Sequence, residues 1–288
     1  MLKNYLSLVK FSHTIFAMPF AMIGFFLGVH EVKATGGVLP NWWFIFLLVI
    51  SCMIFARSAA MAFNRWLDAS FDALNPRTAI REIPAGIISS NSALRFVIFN
   101  CIAFVVCTWF INKLCFFLSP VALFVILFYS YTKRFTPLCH LVLGVGLSLA
   151  PIGAYLAVTG SFNLLPILFS LAVIFWVSGF DIIYSLQDEE FDRAQKLFSM
   201  PSWLGKARAL KVSQVLHLVS ALCVVSAGLI GHFGILYWVG VIIFCGMLIY
   251  QHRLVKPTDL SKVNLAFMTT NGFASVAFAV FVLFDIWI

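Results

Sequence analysis

The sequence predicts an all-α, polytopic integral membrane protein of nine transmembrane helices with a cytoplasmic N-terminus. Three observations carry this. Hydrophobic residues make up 62% of the chain and charged residues only 10%, with a mean hydropathy of +1.01. Apolar runs near 20 residues recur from end to end, and as a helix that length crosses a hydrocarbon core of about 30 Å. The 32 Phe and 8 Trp suit lipid-facing and interfacial surface.

The apolar segments are 12–30, 42–63, 93–111, 115–131, 138–158, 163–186, 212–231, 235–251 and 265–286. The first follows Lys3 and Lys10, as a signal peptide would. It is long, however, and ends at Glu31 and Lys33 rather than at a small-residue cleavage site, so it reads as a retained first helix. The second carries Arg57 inside its run. The third and fourth are parted only by a turn near Asn112-Lys113, which makes them antiparallel neighbours. Two long polar loops, 64–92 and 187–211, follow the second and sixth segments. The ninth carries Asn271, with Asn264 just before it, both read as helix-packing residues. No soluble domain fits in the gaps, so residues 1–288 are expected to form one transmembrane domain.

Orientation follows from the cations. With the N-terminus inside, 16 of the 19 Lys and Arg lie in cytoplasmic segments, leaving Lys33 and Lys113 outside and Arg57 within a helix. The net charge of +8 therefore reflects topology and an anionic leaflet rather than a nucleic-acid footprint. The seven Cys form no C-x-x-C motif and mostly fall in apolar runs, as packing residues do. Nothing soluble-facing suggests an obligate protein partner.

Seven of the eleven acidic residues fall in two clusters at the cytoplasmic ends of the second and sixth segments. One reads Asn64-Arg-Trp-Leu-Asp68-Ala-Ser-Phe-Asp72. The other runs from Asp181 through Tyr184 to Asp188-Glu-Glu-Phe-Asp192. Acids at a membrane edge are costly and mark function by default. Asp68, Phe71 and Asp72 each recur 120 residues later, which suggests a diverged repeat of four helices with a ninth appended. On a helix, Asn64, Asp68 and Asp72 would share one face, and Asp181, Tyr184, Asp188 and Asp192 would repeat it. Facing carboxylates repel unless a divalent cation joins them. Mg²⁺ takes oxygen ligands and commonly shares its sphere with substrate phosphates. Arg57, Arg77, Arg81 and Lys133 offer cations to polyanionic oxygen. Together these groups imply a membrane-embedded clamp for a lipid diphosphate. A blander reading pairs the acids with neighbouring cations and makes Arg77, Arg81 and Lys133 membrane anchors. Tyr129 and His13 can likewise be interface and helix-end residues. Glu189 and Glu190 point off the acidic face and read as solvated.

These residues resemble the UbiA superfamily of intramembrane prenyltransferases. The resemblance rests on N-x-x-x-D-x-x-x-D (Asn64, Asp68, Asp72), D-x-x-x-D (Asp188, Asp192) with Asp181 and Tyr184 upstream, and Y-x-x-x-K (Tyr129, Lys133). The loop Arg77-Thr-Ala-Ile-Arg81-Glu-Ile-Pro84-Ala-Gly86 adds to it, and it covers essentially the whole chain. It implies a UbiA-like bundle in a bacterial plasma membrane, with the active site facing the cytoplasm. The implied reaction is Mg²⁺-dependent transfer of a polyprenyl group from polyprenyl diphosphate to an aromatic acid. The implied metal ligands are Asn64, Asp68, Asp72, Asp188 and Asp192. Arg57, Arg77, Arg81 and Lys133 would meet diphosphate. Tyr129, Tyr184 and His13 would line the acceptor or prenyl chain, and Asp181 is a candidate for binding or deprotonation. The 4-hydroxybenzoate branch, in ubiquinone synthesis, is the nearest. Helix 1 offers Lys10 and His13 where that branch often carries an Arg, so prenylation of 1,4-dihydroxy-6-naphthoate in menaquinone synthesis stays open. So do other acceptors within the superfamily. Of other classes, a transporter would place its acids at mid-membrane, and a CDP-alcohol phosphotransferase would carry D-G-x-x-A-R, which is missing.

Overall fold

The computed structural model describes residues 2–9, 17–39 and 41–288, and within them only helices, turns and loops occur apart from one isolated bridge between Lys256 and Asp259. His13 and Lys10 lie outside the described residues. The helices are α1 (Leu2–Leu8), α2 (Met18–Ala34), α3 (Trp42–Leu67), α4 (Ala69–Leu74), α5 (Ser90–Ile111), α6 (Lys113–Thr132) and α7 (Cys139–Thr159). They continue as α8 (Leu164–Ser185), α9 (Glu189–Ala194), α10 (Met200–Leu204), α11 (Lys206–Ile230), α12 (Ile235–Leu254), α13 (Val263–Leu265) and α14 (Asn271–Trp287). A π-helical turn at Ala266–Thr270 joins α13 to α14.

Eight helical stretches among the described residues are long and apolar enough to cross a membrane. The expected first segment appears as α2, whose described 17 residues fall just short of that length. Low overall polarity with no strong amphipathic stripe is what lipid demands. A helix satisfies its own backbone hydrogen bonds, which lipid cannot do for it.

Tight helix crossings set the bundle. A Cβ on Gly24 would lie 2.0 Å from the Pro151 carbonyl oxygen, so α2 meets α7 backbone to backbone. At Gly144 the same test gives 2.4 Å to the Ile174 carbonyl oxygen, fixing α7 on α8. Small residues at crossings replace the hydrophobic drive that lipid removes. An aromatic core of Phe20, Phe169, Trp176, Phe244 and Phe278 then ties α2, α8, α12 and α14 together.

The two acidic clusters have matching backbones. Asp68 (φ −92°, ψ 7°) breaks α3 from α4, and Asp188 (φ −103°, ψ 4°) ends the 3₁₀ turn that parts α8 from α9. Each Asp is followed by a six-residue helix bearing Phe-Asp. The Gly beyond each cluster, Gly86 and Gly205, takes positive φ (71° and 77°) before the next long helix, a conformation that favours glycine. The expected single helical face is therefore interrupted. Both Asp carboxylates turn away from the backbone to side chains of other segments, Asp68 to Arg134 and Asp188 to Arg77. In the first cluster the i to i−4 bonds nonetheless persist, from Asp68 N to Asn64 O and from Asp72 N to Asp68 O (2.9 and 2.8 Å).

Candidate active site

Both acidic clusters lie at one end of the bundle, and each motif carboxylate meets a cation from another segment. Arg77 binds Asp188 through Nε and Nη2, with Nη2 2.7 Å from Oδ2. Arg81 reaches Asp72 at 2.6 Å, Lys133 reaches Asp192 at 2.7 Å, and Arg134 reaches Asp68 at 2.9 Å. The α4–α5 loop thus crosses to the second cluster, and the α6–α7 turn touches both. Asn75 organises the loop by accepting from Arg77 N. Thr78 Oγ1 donates to the Asp72 carbonyl.

Burial differs sharply among these acids. Asp192 is fully buried, with Lys133 the cation that faces it. Burial pushes the Asp68 carboxyl above its ordinary value, and Arg134 offsets this only in part. For Arg77 and Lys133 burial works against the charge, but Asp188 and Asp192 outweigh it and hold both cations above their usual values.

The expected residues largely converge. Asn64 donates to Asp68 Oδ2 at 3.1 Å. Tyr184 accepts from Arg77 Nη1 at 3.3 Å and lies 4.2 Å, centroid to centroid, from the Phe267 ring. Tyr129 lies within electrostatic reach of Asp68, Asp181 and Arg57. Arg57 stands apart. It forms no ion pair among the described residues, and its buried Nε has no partner. Instead it lines a cavity of about 410 Å³ between α3, α5, α6 and α7. Arg57 is the only charged side chain among the described residues of that lining. Exposed Val121 and Phe162 form part of the wall, so the cavity opens toward the lipid-facing surface.

Two residues gain here a partner that the spacing did not assign. Arg134 accompanies Lys133 in the α6–α7 turn, and its Nη2 also takes the Leu67 carbonyl left by the break at Asp68 (3.1 Å). Only its adjacency to Lys133 signalled it. His140 binds Asp181 at 2.7 Å from inside an apolar run, where nothing in the spacing marks it.

No group of three or more His, Cys, Asp or Glu among the described residues converges as a ready metal site, because each motif acid is drawn to its own cation. The donors still fit a hard divalent ion. Every candidate ligand is an oxygen, the donor type such an ion takes.

The family model of the UbiA prenyltransferase family matches residues 17–278. A 4-hydroxybenzoate octaprenyltransferase of Tolumonas auensis is 34% identical over 160 residues, 55% of each chain. That of Francisella tularensis subsp. novicida is 31% identical over 164 residues, 56% of each chain. The chain thus spans about half the length of the curated relatives it matches. The apo structure of a UbiA homolog from Aeropyrum pernix K1 is 28% identical, with a TM-score of 0.79 over 94% of this chain and 95% of that one. A UbiA homolog from Archaeoglobus fulgidus, solved bound to DMAPP and Mg²⁺, shares the fold at 20% identity (TM-score 0.76, 99% of each chain). Matched from α2 into α14 and sharing this bundle, the chain belongs to the UbiA prenyltransferase family and is a multi-pass membrane protein.

Proposed function

We propose that the chain transfers a polyprenyl group from polyprenyl diphosphate to 4-hydroxybenzoate, in a bacterial plasma membrane with the site facing the cytoplasm. One observation carries the reading: four acids and four cations from separate segments converge beside an apolar cavity that opens to lipid. A charged headgroup site next to an apolar trough matches a lipid diphosphate at both ends. The names of the curated relatives support the acceptor. The fold neighbour solved with DMAPP and Mg²⁺ is consistent with the donor, though its likeness is one of fold.

Asn64, Asp68, Asp72, Asp188 and Asp192 would hold Mg²⁺, which when bound supplies a Lewis acid for the leaving diphosphate. Arg77, Arg81, Lys133 and Arg134 neutralise the oxygens as the allylic C–O bond breaks, the electrostatic contribution that usually dominates. The prenyl chain lies along the cavity, whose walls exclude water from the cation. Tyr129 offers it a π face. Arg57 faces the carboxylate of the acceptor or a diphosphate oxygen. The acceptor ring attacks ortho to its hydroxyl, and Asp181 takes the displaced proton.

The test is a Mg²⁺-dependent assay on membranes carrying the protein. Labelled geranyl or longer prenyl diphosphate is offered with 4-hydroxybenzoate and, separately, 1,4-dihydroxy-6-naphthoate. Prenylated benzoate is expected. Product with the naphthoate alone would move the chain to menaquinone synthesis, and product with neither would defeat the reading.

A further inference from the structure

Asp181 differs from the four motif acids in the company it keeps. Each of those faces a Lys or Arg, whereas Asp181 faces His140, with Nδ1 2.7 Å from Oδ2. The imidazole is buried at the start of α7. Its other nitrogen, Nε2, accepts the Met200 backbone N–H at 3.2 Å. An amide N–H can only donate, so Nε2 must present its lone pair. The ring hydrogen then sits on Nδ1 and points at Asp181. Protonating Nε2 would set two donors face to face, so the fold holds His140 neutral and in one tautomer.

The bond from Nδ1–H occupies one oxygen of Asp181 and leaves the other open. Asp181 Oδ1 makes no hydrogen bond among the described residues, and the side chain is 24% exposed. Asp181 lies one turn before Tyr184 on α8, and Tyr184 accepts from Arg77 at 3.3 Å, which sets Asp181 next to the diphosphate end of the site. The segment that fixes His140 also meets the diphosphate end. Leu197 N donates to Asp192 O at 2.8 Å, and Phe198 N to Lys133 O at 2.7 Å.

We infer that His140 is the positioning residue for the proton-accepting carboxylate Asp181, an inference that rests on the proposed aromatic transfer. In that step the allylic C–O bond breaks and its electron pair leaves on diphosphate. A ring carbon ortho to the hydroxyl supplies the pair for the new C–C bond. The proton on that carbon passes to Asp181 and then to water. His140 aims the carboxylate, keeps its Nδ1 hydrogen throughout and takes up no proton from the ring carbon.

Two substitutions separate the two bonds of the ring. In His140→Asn the amide nitrogen falls near Nδ1 and can still donate to Asp181. In His140→Gln the amide oxygen falls near Nε2 and can still accept from Met200. Prenyl transfer by wild type, both variants and Asp181→Asn is measured in detergent, with melting temperatures alongside. General base catalysis contributes on the order of 10²-fold or more. Asp181→Asn should therefore lose about 10²-fold in kcat, His140→Gln roughly tenfold or more, and His140→Asn less than about fivefold. KM for prenyl diphosphate should hold in all three, and Asp181→Asn combined with His140→Gln should be no slower than Asp181→Asn alone. The reverse order, with His140→Gln active and His140→Asn inactive, would make His140 a tether for the loop and overturn the inference alone. So would an effect confined to KM for prenyl diphosphate. A wild type inactive with both acceptors would overturn the inference and the proposed function together.

Discussion

Replacing Lys133 by Met isolates what the buried pair with Asp192 contributes. Lys133 Nζ and Asp192 Oδ1 are 2.7 Å apart, with the lysine 34% exposed and the aspartate 0%. At an effective dielectric of about 20 their attraction is about 6 kcal/mol. The part-exposed lysine is screened, which lowers that figure. Removing one partner leaves a buried, uncompensated carboxylate, which costs about 3–5 kcal/mol. In melting temperature that is roughly a 5–8 °C fall for a chain of this size. Arg193 and Glu189 give the control. Their 2.8 Å pair has nearly the same length, but the arginine is 63% exposed and the part-buried Glu189 keeps Lys206 Nζ at 3.7 Å, so Arg193→Met should cost far less, about 1 kcal/mol or below. Thermal scans in detergent compare the two, and Lys133→Met combined with Asp192→Asn should recover most of the loss. Equal melting temperatures for the two single variants would refute the argument from burial.

Three further outcomes follow. Gly24→Ala should destabilise by about 2 kcal/mol or more, because its Cβ meets the Pro151 backbone at 2.0 Å, whereas Gly153, with nothing within 4 Å, should tolerate Ala; thermal scans compare them. The acid limb of kcat/KM should lie above the ordinary carboxylate range, because burial raises Asp68: the folded protein favours protonated Asp68, and the ionised form needed for metal is lost early as pH falls. Raising Mg²⁺ should move that limb to lower pH, since metal and proton compete for the carboxylate, and a limb indifferent to Mg²⁺ would remove Asp68 from the ligand set. Arg134→Met should lower both stability and turnover, because the residue caps the Leu67 carbonyl and pairs Asp68; a variant with wild-type melting and kcat would show that the break at Asp68 needs no cap.

Much of this was legible in the chain. Hydropathy exposes membrane helices, since lipid leaves the backbone no other partner, and Asn64-x-x-x-Asp68-x-x-x-Asp72 marks a site because acids at a membrane edge need a reason. Other features needed coordinates. The breaks at Asp68 and Asp188 accompany ion pairs to Arg134 and Arg77, partners far away in the chain that spacing does not reveal. Cross-pairing of Arg77 with Asp188 joins residues 111 positions apart. His140 looked like one more residue of an apolar helix until Met200 and Asp181 were seen on its two nitrogens.

The most direct test of the clamp is binding of labelled geranyl diphosphate to purified protein, with and without Mg²⁺, in wild type, Asp72→Asn and Asp192→Asn. The account predicts Mg²⁺-dependent binding by the wild type that falls at least tenfold, about 1.4 kcal/mol, in each folded variant. Binding that is equally tight without Mg²⁺, or unchanged in both variants, would contradict it.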